Sequence, residues 1–183
     1  LAKGLTENGH EVFLVAQKGS SCPFARIVPL EDFHEKMVDV LHYFNTPRRY
    51  PTKAYVVTIG GNGKAGETYL PNTVFVSHNQ ALRHRAVAYV HNGLDPAEFS
   101  FSENRKKNLM FLAKASWKVK NVRGAIRISR KAQRPLHVMG GKGLLFQNWW
   151  GVTWEGDVSG ERKAELLKDA GALLFPVIWN EPF

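Results

Sequence analysis

The chain is expected to fold as two consecutive α/β units, each a parallel sheet covered by helices, and three observations lead there. Short runs that are apolar almost throughout recur at 55–59, 109–113 and 172–175, as strands buried on both faces require. Between several of these runs lie helical patterns, at spacings that suit crossover connections between parallel strands. After Asp95 the composition turns polar and charged through Lys107, which suits a linker between domains. The domains are therefore placed at 1–100 and 101–183.

The elements follow in order. Leu1, Ala2 and Leu5, followed by Gly9, read as the last turns of an amphipathic helix with a glycine at its C-terminal end, leading into a strand at 12–16. A doubly wound domain carries a strand and a glycine-bearing loop ahead of such a helix, so the first domain is expected to lack its first strand here. A short apolar piece at 27–30 precedes strands at 38–43 and 55–59. Residues 60–66 (GGNGKAG) invite a phosphate-loop reading. They fail it, because Thr58 stands where the first glycine is needed and Ala65 where a hydroxyl is needed. Strands at 74–77 and 89–90 close the first unit. The second begins with a strand at 109–113, a helix at 122–132 and a strand at 136–139 closed by Gly140 and Gly141. A strand at 152–154 follows, then a helix from Ser159 to about Ala170 ended by Gly171, and a last strand at 172–175.

Composition bounds the class. The 183 residues are 44% hydrophobic and 22% charged, which is globular and leaves room for one ordinary domain or two small ones. No stretch approaches the roughly 20 apolar residues of a membrane-spanning helix, and the N-terminus lacks the pattern of a signal peptide. A soluble, cytoplasmic protein is expected. Cys22 is the only cysteine, so an internal disulfide is excluded and a packed core must supply stability; a loop thiol is its ordinary reading.

The net charge of +9 is concentrated. Between Arg105 and Arg134 stand eleven Lys or Arg residues and no Asp or Glu. Such a block attracts nucleic acid, anionic headgroups or a pyrophosphate alike. No aromatic ladder or nucleic-acid motif accompanies it, so no nucleic acid is expected. Arg123, Arg127, Arg130 and Arg134 fall at helical spacing opposite Val122, Ala125, Ile126 and Ser129, the pattern of a solvated helix face. A peripheral contact with anionic membrane, at its inner face, is the further partner the block allows.

The C-terminal residues carry the sharpest chemical signal. An apolar strand, Pro176, aromatic Trp179 and then Glu181-Pro182-Phe183 place a carboxylate just past a strand's carboxyl end, where open α/β sheets keep their functional groups. A carboxylate there can hold sugar hydroxyls; it can equally cap a following helix. No HxxxH, paired Cys/His spacing or isolated Asp-x-Asp is present, so no metal is expected.

Several segments in order, 1–15, 39–42, 74–77, 92–95 with Phe99, 111–121 and 152–183, ending in Glu-Pro-Phe, resemble glycosyltransferase family 4, whose members have the GT-B fold of two Rossmann-like domains. Against that pattern both domains are incomplete in this chain. The resemblance implies a retaining glycosyltransferase that moves a sugar from a nucleoside-diphosphate sugar to an acceptor hydroxyl on a glycan, lipid-linked or small molecule, without a metal or other cofactor. The first domain would lie on the acceptor side and the second would bind the nucleotide sugar. Lys114 falls where the family's diphosphate-binding arginine stands, and Lys120, after one inserted residue, where its lysine stands; Lys118 competes for that second place. Ala113 replaces the usual glycine. Glu181 would contact the donor sugar as the catalytic glutamate, and the second glutamate of the motif would lie beyond Phe183.

Gly140 and Gly141 allow close backbone approach to a nucleotide, though a tight turn explains them as well. A histidine usual in the family after the first domain's Thr-containing strand is replaced by Gly60. Of His42, His78, His84 and His91, His78, with Asn79, is the one expected to face the cleft. Gly60, Ala113 and Lys114 together favour the alternative of a catalytically degenerate GT-B-like binding protein.

Overall fold

A computed structural model describes residues 1–63, 66–100, 102–143 and 151–183. Lys64 and Ala65 of the glycine-rich segment lie outside the described residues. The chain divides into one unit of residues 1–91 with 182–183 and a second of residues 92–181.

In the first unit, α1 (Ala2–Glu7) leads through Gly9, at φ 83°, into β1 (Phe13–Val15), which pairs in parallel with β2 (Arg26–Val28). A separate parallel sheet contains β3 (Val40–Tyr43), β4 (Ala54–Ile59) and β5 (Thr73–Phe75) in that order. β4 is central, and its β-branched residues meet both neighbours. Val57, Ile59, Phe75 and Ala81 form the core, with Tyr43, Tyr55, Tyr69 and Leu70 packed around them. The apolar piece at 89–90 makes only an isolated parallel bridge, Phe75 to Tyr89. The Ser77 hydroxyl donates to the Pro182 carbonyl.

The sequence reading carries the third strand of this sheet to Ser77 and puts His78 and Asn79 at its end. Instead Ser77 caps a helix, α2 (His78–Arg83), accepting from the Gln80 backbone N–H at 3.1 Å. Gln80 is fully buried. Its side-chain oxygen accepts from Val76 N–H at 2.9 Å, while its amide donates to the carbonyls of Ile59 at 3.1 Å and Gly61 at 2.6 Å. One side chain thus ties the carboxyl end of β4 to the turn between β5 and α2.

The second unit has the sheet order β8-β7-β6-β9, all parallel, from β6 (Leu109–Leu112), β7 (Leu136–Met139), β8 (Val152–Gly156) and β9 (Ala172–Leu174). Helix α3 (Val122–Ala132) crosses from β6 to β7, and α4 (Gly160–Lys168) crosses from β8 to β9. Alternate residues Leu109 and Phe111, Leu136 and Val138 share one face with Val152 and pack against Ala125 of α3. Met110 and Met139, on the other face, are also buried. Arg123, Arg127 and Arg130 are exposed while Gly124, Ala125 and Ser129 are buried, as the spacing of apolar and basic positions requires. Ser159 stands at the N-cap of α4 but makes no side-chain cap bond there.

Replacing Gln80 by Leu keeps the volume and leaves one buried N–H and two carbonyls without their partner. Gln80→Leu is expected to destabilise the first unit by about 2–4 kcal/mol, measured by urea denaturation; a loss below about 0.5 kcal/mol would refute the role given to this side chain.

Candidate functional site

From β6 the chain steps outward to β7 and β8, whereas β9 pairs on the opposite side of β6. The strand order therefore reverses between β6 and β9, and in open α/β sheets ligands bind in the crevice at the carboxyl ends of the strands where this happens. Two segments share that crevice: residues 113–121 after β6 and residues 175–181 after β9. They are stitched together. Ile178 N–H donates to the Val119 carbonyl at 2.9 Å, and the Asn121 amide donates to the Pro176 carbonyl at 2.8 Å. Asn121, in the left-handed region at φ 56°, also caps α3 by accepting from Gly124 N–H at 3.0 Å. Any side chain at Gly124 would meet the Asn121 amide, so the glycine lets this cap form.

The stitching brings Lys120 and Glu181 together across 61 positions of sequence. The ammonium donates to both carboxylate oxygens, at 2.9 Å to Oε1 and 2.8 Å to Oε2. Both side chains are largely shielded, 15% and 22% exposed. The Trp179 indole N–H adds a bond to Oε2 at 2.6 Å. Lys120 Nζ lies 5.1 Å from the Trp179 ring centroid and 5.8 Å from that of Phe175, within cation–π range. Burial by itself would raise the Glu181 carboxyl. The hydrogen bonds from Lys120 and Trp179 and the charge of Lys120 outweigh it and hold the carboxyl below its ordinary value of 4.5.

Lys114 differs from Lys120. It is exposed, its ammonium 5.2 Å from the Trp117 ring centroid, and among the described residues it has no carboxylate partner. Trp117 meets Trp179 edge-on at 6.5 Å, so the two lysines flank a pair of indoles. Lys118, the competitor for the second basic place, is exposed and makes no contact with Glu181. Among the described residues the crevice thus holds Lys114 without a carboxylate partner, the paired Lys120, and a carboxylate with spare acceptor capacity.

Gly140 and Gly141 serve the loop that carries Lys114. Both have positive φ, 109° and 148°. A Cβ on Gly140 would strike the Ala113 carbonyl, and one on Gly141 would stand 3.3 Å from the Ala115 Cβ. Ala115 N–H donates to the Gly140 carbonyl at 2.7 Å. The two glycines let the turn after β6 lie directly on the end of β7.

In the first unit, Gly60 follows β4 at the carboxyl edge of its sheet, and nothing lies within 4 Å of the place a Cβ would take. His42 bonds Thr58 Oγ1 at 2.8 Å and stacks on Phe44. His84 stacks on Phe75. His78 and His91 are exposed and flank the Tyr89 ring, at 5.3 and 5.5 Å.

Sequence reasoning missed a further charged group in the second unit: Glu155 of β8 bonds His137 of β7 at 2.6 Å and Arg162 of α4 at 3.1 Å, and these bonds hold its carboxyl below the ordinary value despite burial. His137 and Arg162 line a cleft of about 630 Å³ with Lys106, Asn108 and Pro135. The last three precede β6 and β7, so this cleft lies toward the amino ends of the strands, away from the reversal edge. Among the described residues no three His, Cys, Asp or Glu side chains gather as metal ligands. No helix among them is long and apolar enough to cross a membrane.

No protein-family model and no curated protein matches the chain. Among solved structures it is similar to AviGT4, a glycosyltransferase involved in avilamycin A biosynthesis, with a TM-score of 0.77 and 24% identity over 98% of this chain. The fold is GT-B-like and Rossmann-type. The chain spans 62% of the length of AviGT4.

A carboxyl held low in the folded state contributes stability that is fully present above its unfolded pKa and is lost as pH falls through the folded value. Replacing Glu181 by Gln is therefore expected to cost about 1–3 kcal/mol at pH 7 and progressively less below pH 4.5, read as the gap between wild-type and variant urea midpoints. A gap that widens in acid would contradict the pairing described for Glu181.

Proposed function

We propose that this chain is the nucleotide-sugar-binding part, with part of the acceptor side, of a retaining glycosyltransferase resembling family 4. It would move a sugar from a nucleoside-diphosphate donor to an acceptor hydroxyl without a metal. The observation that carries the reading is the Lys120–Glu181 pair, with Lys114 beside it, at the strand-order reversal of a GT-B-like fold. In the reaction the bond from the anomeric carbon to the diphosphate oxygen breaks, one to the acceptor oxygen forms and the acceptor's proton passes to the departing diphosphate, on which negative charge grows as the bond breaks. Fixed cations in a shielded crevice stabilise that charge. Lys114 supplies one at the open side, and Lys120 the second. Lysine acts here as a point charge without arginine's bidentate fork, and α3 adds the positive end of its dipole. Glu181 accepts a hydroxyl of the sugar and thereby orients the anomeric centre.

Titration of the full-length protein with UDP, GDP and ADP and their sugar conjugates tests this reading. One nucleotide class is expected to bind, and Lys114→Ala and Lys120→Ala are each expected to weaken it by about tenfold or more, the worth of a charge-assisted bond. Absence of binding to all three classes would overturn the reading.

A non-catalytic binding protein of the same fold is the second reading, favoured by the open space at Gly60 where relatives by resemblance carry a histidine. That space accepts an imidazole without a clash. Turnover by the wild-type protein is the expected result and excludes this alternative. Binding without turnover, with turnover gained in Gly60→His, would establish it.

A further inference from the structure

The three hydrogen bonds on Glu181 are unevenly divided. Oε2 accepts from Lys120 at 2.8 Å and from Trp179 at 2.6 Å, whereas Oε1 accepts from Lys120 alone, at 2.9 Å. An ionised carboxylate offers about four acceptor positions, so three are taken and the remaining one is on Oε1. Trp179 acts on both members of the ion pair: its N–H, a donor only, fixes the carboxylate, and its ring face lies 5.1 Å from the ammonium. The indole also meets Trp117 in a T-shaped contact. Only Asn180 separates Trp179 from Glu181 in the chain, so the bond also sets the turn that presents the carboxylate.

We propose that Trp179 is the positioning residue of the donor-sugar subsite: its N–H saturates Glu181 Oε2 and leaves a single acceptor position, on Oε1, for one hydroxyl of the sugar. This inference rests on the donor-site reading above. It separates two functions of one side chain. The N–H governs how the sugar is held, and the ring governs where Lys120, and with it the diphosphate, is held. Loss of the N–H alone leaves the carboxylate held by Lys120 only and gives Oε2 back to water or to a second hydroxyl. The selectivity of the subsite for one hydroxyl pattern falls with it.

The experiment compares dissociation constants, by calorimetry on the full-length protein, for UDP, GDP and ADP and for UDP-glucose, GDP-mannose and ADP-glucose. Trp179→Phe keeps a ring for Lys120 and removes the N–H; Trp179→Leu removes both. Trp179→Phe is expected to leave the affinity for the bound nucleoside diphosphate within about twofold and to weaken its sugar conjugate by about tenfold, while Trp179→Leu weakens both. In a Glu181→Gln background the Phe substitution is expected to add little further loss, because its effect passes through the carboxylate. Equal weakening of diphosphate and sugar conjugate by Trp179→Phe, or no change in either, would overturn the positioning role while leaving the donor site standing. No binding of any diphosphate by the wild type would overturn the donor site and this inference together.

Discussion

Parallel pairing on both sides of β6 is the constraint on which the second unit depends. Once β7 and β9 both hydrogen-bond to β6, the chain leaving β6 and the chain leaving β9 must emerge side by side at one edge. Every interaction at the candidate site follows from that adjacency. The backbone stitch from Ile178 to Val119 and the Asn121 bridge to Pro176 set the register of the two segments, and only then can Lys120 reach Glu181. The ion pair is thus a product of sheet topology before it is a feature of chemistry.

The same logic explains what the sequence disclosed and what it hid. Helix α3 and strand β7 were legible to the residue, because arginines opposite Ala125 and Ser129 mark a helix face and Pro135 and Gly140 bracket an apolar run. Helix α2 was not. At six residues it is too short for periodicity to register, and the run before it reads as strand until Ser77. Its one signal was local: serine followed three residues later by glutamine, a capping pattern. The burial of Gln80 had no signal at all, since its partners are backbone groups about twenty residues earlier and four residues earlier in the chain. Likewise Glu181 could be marked as a strand-end carboxylate, but no spacing rule announces that Trp179 donates to it.

Charge shows most plainly the difference between a sequence and its fold. The stretch from Arg105 to Arg134 is uniformly basic along the chain, yet the fold distributes it to separate places. Lys106 pairs with Asp169 at 2.9 Å, Lys120 with Glu181, and the α3 arginines face solvent. Acids that the block lacks arrive from the last fifteen residues. What looked like one polyanion-binding surface is therefore a helix face, a surface ion pair and a two-lysine crevice, and of the two ion pairs Lys120–Glu181 is the more shielded.

The seat of the post-β6 turn on Gly140 has a consequence for how such a crevice can be retuned. With the Ala113 carbonyl resting where a Cβ would be, any residue larger than glycine at 140 would force the turn off the end of β7. Substitutions that keep this seat fall on the side chains at 114–120. Swapping residues such as Lys114 and Trp117 alters the charge and ring surface of the crevice, whereas a side chain at position 140 would disturb the seat itself.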